Sequence, residues 1–381
     1  MKILVIETYY WPFLVDRDLD RALESPEAKQ AALSLIDSFG FGTGSVYVKN
    51  LLASGHESRL LIANSPALQL PFSDQRRIFD KASQMLFKYA AIVARVGFLG
   101  DFIIKRSKFF RAIKAEIESF APDALLVLDI NLFSHSVLSK LAPSSVIRVG
   151  EIASPLPPKR FIRGYDLIFS AHPGLVREIE SMGVKAGWNP LGVDAGSFSK
   201  HPSKDRDIDA VFVGSLGRLQ KNTGPLLSEV QKLVPSLQIY GNISDRALKK
   251  FGLAGNYMGP AWGSKMHEIL SRAKISINRH GEIAGPYAVN MRMYESTAAG
   301  AMLLTEDRTN LKDLFVPGTE VVAYRNNRDA AEKARYYLDH PEELAKIANA
   351  GQKRTLEEHT YQQRVSQMAE ELSKILNGRH P

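Results

Sequence analysis

Two series of short apolar runs, separated by helical patterns, constrain this chain more than any other feature. The first series falls at Lys2–Ile6, Ser58–Ala63, Ala124–Leu128, Val146–Val149 and Leu167–Ser170. Runs that are apolar at successive positions suit parallel strands covered by helices on both faces. Helical patterns lie between them at 44–54 and 107–120, with a basic helical insertion at about 74–114. The segment "KAGWNPLGVD" reads as a short strand leaving this series, and the polar run Ser197–Asp207 reads as a linker. A second series then begins with "IDAVFVGSLG", "LQIYGN", "KISINRHG", "AMLLTE" and "EVVAY". Helices are expected at 222–233, 264–273, 328–338, 341–358 and 361–376. A length of 381 residues is ample for two cores. The expected fold is α/β, with two doubly wound Rossmann-like domains facing each other across a cleft. The first would span 1–195 and the second 196–360, with a closing helix at 361–381 that could cross back to the first.

Composition narrows the chemistry. The chain has no cysteine, which excludes disulfides, thiolate zinc sites and a cysteine nucleophile. Glu7 interrupts the first apolar run, so "MKILVIETYY" reads as a first strand and not as a signal peptide. No stretch approaches the roughly 18–20 apolar residues of a spanning helix. A cytoplasmic protein is expected, with a peripheral position on the inner membrane face left open. The net charge of +8 is concentrated. Ten Lys and Arg fall between Arg76 and Lys114, opposed there only by Asp80 and Asp101. Lys81, Lys88 and Arg95 share one helical face, and Ile78, Ala82, Met85, Leu86, Tyr89, Val93 and Val96 share the other. A solvated surface helix and attraction of 76–114 to an anionic membrane surface both fit this pattern. Nucleic acid fits poorly, because the aromatic residues lie on the apolar stripe and not among the charges.

Two segments could carry chemistry. In "FVGSLGRLQKN", Gly214 and Gly217 allow close backbone approach ahead of a helix, and Arg218 and Lys221 add positive charge. A following helix offers free N–H groups to an anion. The loop is neither a P-loop nor a GxGxxG fingerprint, and a plain turn would look similar. In "NMRMYESTAAGAMLLTE", Asn290 is a good N-cap, which puts Arg292 in the first helical turn. A cation there is disfavoured by about 0.3–1 kcal/mol, unless a bound anion reverses the sign. Glu295, three positions on, is placed to pair with Arg292 or to accept from two sugar hydroxyls.

The run "NMRMYESTAAGAMLLTE", followed by "LFVPGTEVVAY" and "YYLDHPEELAKIANAGQKRTLEEHTYQQR", resembles the C-terminal half of GT-B glycosyltransferases, from about Ile208 to Arg364. The nearest pattern is the CgeB-like, spore-maturation group. The resemblance implies a nucleotide-sugar donor on the second domain and an acceptor on the first. It implies that Glu295 holds the ribose and that Arg292 and Asn290 lie at the diphosphate and sugar. Gly214, Ser215 and Arg218 would line the diphosphate from the other side. Tyr240, Gly241 and the turn Met258–Trp262 would grip the base. Retaining members often carry two glutamates eight positions apart. Here position 287 is Tyr, and Glu282 is the nearest acid upstream.

No metal or other cofactor is expected, since a charge clamp on the leaving diphosphate suffices in such a fold. Two DxD patterns, at Asp16–Asp18 and Asp205–Asp209, read as solvated charge. An inverting reaction would need a general base from the first domain. Glu151 and Asp129, which follow strands, are the foremost candidates, ahead of His172 and His135. Glu7 could contact an acceptor hydroxyl, and "FGFGTGS" (Phe39–Ser45) could touch a phosphate or be a simple loop. The expected activity is hexosyl-type transfer from a UDP- or GDP-linked donor to a cell-surface glycan or lipid-linked acceptor. An epimerase of the same fold and a non-catalytic partner subunit are the alternatives.

Overall fold

The computed structural model describes residues 1–9, 11–15, 43–65, 81–199, 205–217 and 222–379, and single positions at 19, 25, 27, 31, 32, 34, 36 and 68. Of these, 12, 81–84, 87, 199 and 379 are described by their backbone alone. The chain divides into two compact units, Met1–Asn189 with Val365–Pro381, and Pro190–Arg364.

The first unit is built on six parallel strands: β1 (Lys2–Glu7), β2 (Glu57–Ile62), β3 (Ala124–Val127), β4 (Ile147–Glu151), β5 (Leu167–Ser170) and β6 (Lys185–Trp188), in the order β2-β1-β3-β4-β5-β6. Ile3, Leu4, Val5 and Ile6 are all fully buried. Burial at four successive positions means that both faces of the sheet are covered. Its longer helices are α1 (Gly44–Ala53), α2 (Lys81–Ala94), α3 (Phe98–Arg106), α4 (Lys108–Phe120) and α5 (Pro173–Ser181). The start of α4 follows from its sequence: Ser107 accepts from Phe110 N, and Phe109, Phe110, Ile113, Ile117 and Phe120 form its buried stripe.

The second unit has β7 (Ile208–Val213), β8 (Gln238–Tyr240), β9 (Tyr257–Gly259), β10 (Ala273–Ile277), β11 (Met302–Glu306) and β12 (Val322–Tyr324), in the order β12-β11-β10-β7-β8-β9. Its helices include α6 (Thr223–Leu233), α7 (Gly263–Arg272), α8 (Met291–Ala298), α9 (Asn327–Asp339) and α10 (Pro341–Glu358), and α11 (Tyr361–Arg379) closes the chain. Period-two alternation divides the strands between two apolar layers. Ala210 and Phe212 pack in one, Val211 and Val213 in the other. Val193 N donates to His359 O at 3.0 Å and Tyr361 N to Val193 O at 3.0 Å, which stitches the segment after β6 to the end of α10.

One sequence expectation needs correction: Met258 belongs to edge strand β9 and not to a turn. The basic segment forms α2, α3 and the start of α4. Of its apolar stripe, Leu86 and Val93 pack against the core, whereas Met85 and Val96 are each 60% exposed. Ile78 lies outside the described residues, and the side chains of Lys81 and Ala82 are not described.

Candidate functional site

In doubly wound sheets, ligands bind beyond the carboxyl ends of the strands where the strand order reverses. In the second unit that point lies between β7 and β10, and in the first between β1 and β3.

Beyond β7, Gly214 and Gly241 bring two strand ends into backbone contact. Gly214 N donates to Tyr240 O at 2.9 Å. A Cβ on Gly241, whose φ is 139°, would lie 1.6 Å from Gly214 O, so only glycine fits there. Ser215 lies just beyond this contact and is half-buried. The Tyr240 hydroxyl donates to Gln238 Oε1 at 2.8 Å. Arg218 and Lys221 lie outside the described residues.

Beyond β10, the chain loops through 278–290 and enters α8. Asn290 caps that helix, its Oδ1 accepting from Arg292 N at 2.7 Å and its Nδ2 donating to Arg279 O at 3.0 Å. Arg292 crosses the switch point: its Nε donates to Val213 O at 3.1 Å, which fastens α8 to the end of β7. Its Nη1 forms an ion pair with Glu295 Oε2 at 2.6 Å. The side chains of Arg292 and Glu295 keep 18% and 14% of their exposure. Arg292 Nη2 and Glu295 Oε1 make no hydrogen bond to the described residues. One donor edge and one acceptor edge are therefore left at a helix N-terminus, beside glycine backbone.

A polar network that sequence reasoning did not single out holds this loop. Glu306, at the end of β11, accepts from Arg279 Nη1 at 2.6 Å, His280 N at 2.9 Å and Arg308 Nη2 at 3.0 Å. Asn278 donates to Thr305 Oγ1 at 2.9 Å, and the Tyr324 hydroxyl donates to Asn278 O at 2.8 Å. Burial, with Arg308 and Arg279 nearby, pushes the His280 imidazole down to about 3 and keeps it neutral. Glu282 is exposed and pairs with Arg279 at 3.3 Å, while Tyr287 is half-buried.

In the first unit the helix N-terminus is already occupied. Glu7, at the end of β1, accepts from Thr43 N and Gly44 N, both at 3.0 Å. A Cβ on Gly44 would lie 2.4 Å from Glu7 Oε2, so this glycine admits the carboxylate. Of "FGFGTGS", Phe39–Gly42 lie outside the described residues, and the amides of Thr43 and Gly44 are taken by Glu7. One turn along α1, the Tyr47 hydroxyl donates to Glu151 Oε1 at 3.0 Å, while Glu151 Oε2 is buried without a partner. Burial pushes Glu7 up to about 7, against the pull of the Thr43 and Gly44 hydrogen bonds. Burial also pushes Glu151 up to about 7, with the charge of Glu7 adding to the rise and Tyr47 opposing it.

The other candidates are engaged locally. Asp129 accepts from Thr8 Oγ1 at 3.1 Å through one oxygen and from Asn131 N at 3.1 Å through the other. His172 caps α5, its Nδ1 accepting from Gly174 N and Leu175 N, which is a structural task. His135 is exposed at the start of a short helix. Of the DxD patterns, Asp16 and Asp18 lie outside the described residues, while Asp207 pairs with Arg272 and Asp209 with Lys274.

Comparison with known proteins agrees with this architecture. Residues 225–370 match the family model described as glycosyl transferase-like. No curated protein matches the chain. Among solved structures, sucrose-phosphate synthase from Thermosynechococcus elongatus aligns with a TM-score of 0.62 at 12% identity, over 99% of this chain and all of that one. HepE of Anabaena in complex with UDP-glucose aligns with a TM-score of 0.60 at 11% identity, over 98% of this chain and all of that one. A putative UDP-N-acetylglucosamine 2-epimerase from Listeria monocytogenes aligns at 0.55 and 14% identity, over 97% and 94% of the two chains. At these identities the likeness shows the fold: two parallel six-stranded sheets with flanking helices, as in GT-B glycosyltransferases.

Proposed function

We propose that this chain is a metal-independent glycosyltransferase of the CgeB-like group. It would move a hexosyl unit from a nucleotide-diphosphate donor, UDP- or GDP-linked, to a cell-surface glycan or lipid-linked acceptor. The observation that carries the reading is Arg292, whose Nη2 is left open at the β7/β10 switch point beside the N-terminus of α8. A leaving diphosphate gains negative charge as the glycosidic bond breaks. A guanidinium and a helix N-terminus already fixed at that point stabilise the developing charge without reorganising. Glu295 accepts from the ribose hydroxyls through its open oxygen. Gly214, Ser215 and Gly241 let backbone approach the phosphates, Asn290 faces the sugar, and Tyr240 lies toward the base. Arg218 and Lys221, which follow Gly217 in the sequence, would add positive charge.

In the first unit Glu151 is the better general base. Its Oε2 has no partner, whereas Asp129 uses both oxygens to hold its own turn. A carboxylate that titrates near 7 is half deprotonated at neutral pH and can take a proton from an acceptor hydroxyl. The test is donor turnover over a panel of nucleotide sugars, with and without a glycan or lipid-linked acceptor. Acceptor-dependent release of the nucleoside diphosphate is expected. Acceptor-independent conversion of the sugar would instead establish the epimerase reading, and donor binding without turnover would establish a partner subunit.

A further inference from the structure

α3 has its apolar face outward. Phe98, Leu99, Phe102 and Ile103 share one side of the helix and are exposed, Phe98 by 87%, while Gly100, Asp101 and Ile104 point inward and are buried. Met85 of α2 lines one trough with Phe102 and Ile103, and Met85, Ile92 and Val96 are themselves exposed by 60–63%. Between α2, α3 and α4 runs a trough of about 600 Å³, lined by Met85, Leu86, Tyr89, Phe102, Ile103 and Phe109 and edged by Arg106 and Arg111. Singly exposed apolar residues are ordinary, but a contiguous patch of this kind marks a surface that something covers.

The charges say what covers it. Arg106 and Arg111 line the trough, Lys88, Arg95 and Lys105 lie on or next to the same helices, and none of the five forms a salt bridge within the described residues. Arg95 donates to Asn131 and Lys105 to Ser136, both neutral, and Arg106 lies 4.2 Å above the Phe102 ring. A second copy laid on this face would bring like charges together. A nucleic acid would need stacking platforms, and half of this surface is aliphatic. An apolar wedge on helices that also carry unpaired cations is the composition of a segment that lies in the interface of an anionic bilayer.

We propose that the outer face of α2 and α3 inserts into an anionic lipid surface. Phe98 and Leu99 lead into the acyl boundary, and Arg95, Lys105 and Arg106 meet lipid phosphates. This goes beyond electrostatic attraction of the basic segment, and it stands whether or not the transfer reaction above is correct. It is tested on the full chain by flotation with vesicles of phosphatidylcholine alone or of phosphatidylcholine with phosphatidylglycerol. The wild type floats with the phosphatidylglycerol vesicles and much less with the neutral ones. Phe98→Ser combined with Leu99→Ser, which keeps every cation, lowers binding by about tenfold or more. Arg95→Gln, Lys105→Gln and Arg106→Gln together remove the preference for anionic lipid. Phe98, Leu99, Arg95 and Arg106 are exposed and Lys105 is half-buried with one neutral partner, so both variants stay folded, with melting temperatures close to that of the wild type. Phe98→Trp fluorescence shifts to the blue on vesicle binding. Equal flotation of the Phe98/Leu99 variant and wild type overturns the proposal. So does absence of wild-type flotation, or a wild-type dimer in solution that the same variant dissociates.

Discussion

The two switch points solve the same geometric problem with opposite chemistry. In the first unit the N-terminus of α1 is filled by the protein's own carboxylate, Glu7, and a second raised carboxyl, Glu151, sits one turn along. In the second unit the N-terminus of α8 carries a cation, Arg292, with one edge left open. The first N-terminus is filled by a carboxylate, whereas the second, capped only by the neutral Asn290, keeps its positive end beside a guanidinium with a free edge, an arrangement that an anionic ligand would stabilise. Under the proposed function, the first unit would handle protons and the second would hold a diphosphate.

The contrast can be broken most severely at the backbone of the second crevice. Gly241→Ala places a Cβ against Gly214 O at a φ that disfavours it, and should cost about 3 kcal/mol or more. Thermal denaturation should show a lowered melting temperature. A variant as stable as wild type would mean that the β7 and β8 ends do not meet as described.

The units should also respond to pH in opposite directions. Glu7 and Glu151 have folded-state values raised from 4.5 to about 7. Their contribution is fully present below 4.5 and is lost as pH rises through 7. His280 and His359 are pushed down from 6.5 to about 3 and about 4 by burial. They are neutral when folded, so their contribution is present above 6.5 and is lost as pH falls toward 4. Between those limits rising pH should weaken protection in the first unit and strengthen it in the second. Hydrogen exchange corrected for its intrinsic rate measures this, and the same sign in both units would refute it. Glu7→Gln should reduce the slope in the first unit.

The smallest effect expected is at Tyr47. Tyr47→Phe removes a donor to the ionised form of Glu151, a loss of about 1 kcal/mol. The Glu151 titration should move upward by less than about one pH unit, as read by carboxyl NMR. A downward shift would show that Tyr47 does not face the carboxylate.

How much of this was legible in the sequence follows from range. The strands of both sheets were legible because burial on two faces demands unbroken apolar runs, as at Ile3–Ile6. β9 and the helix Asp245–Phe251 were not, since three residues at a sheet edge carry little pattern. That helix did have its signals, with Ser244 as cap and Gly252 left-handed at its end. Arg292 and Glu295 were legible because a cation in a first turn violates a local rule. Arg279 and Glu306 were not, because they meet through the register Ile277↔Leu304, which no short stretch encodes. The outward apolar side of Phe98–Arg106 was not legible, because a short apolar stretch does not say which of its sides meets a core.

The central claim, that the β7/β10 switch point holds a nucleoside diphosphate, is tested most directly by calorimetry of UDP and GDP against wild type and Arg292→Ala. One of the two nucleotides should bind the wild type, and the variant, still folded at the assay temperature, should bind it about 10–100-fold more weakly, since a charge-assisted contact is lost. Equal affinity in the two proteins, or no binding of either nucleotide to the wild type, would contradict the account.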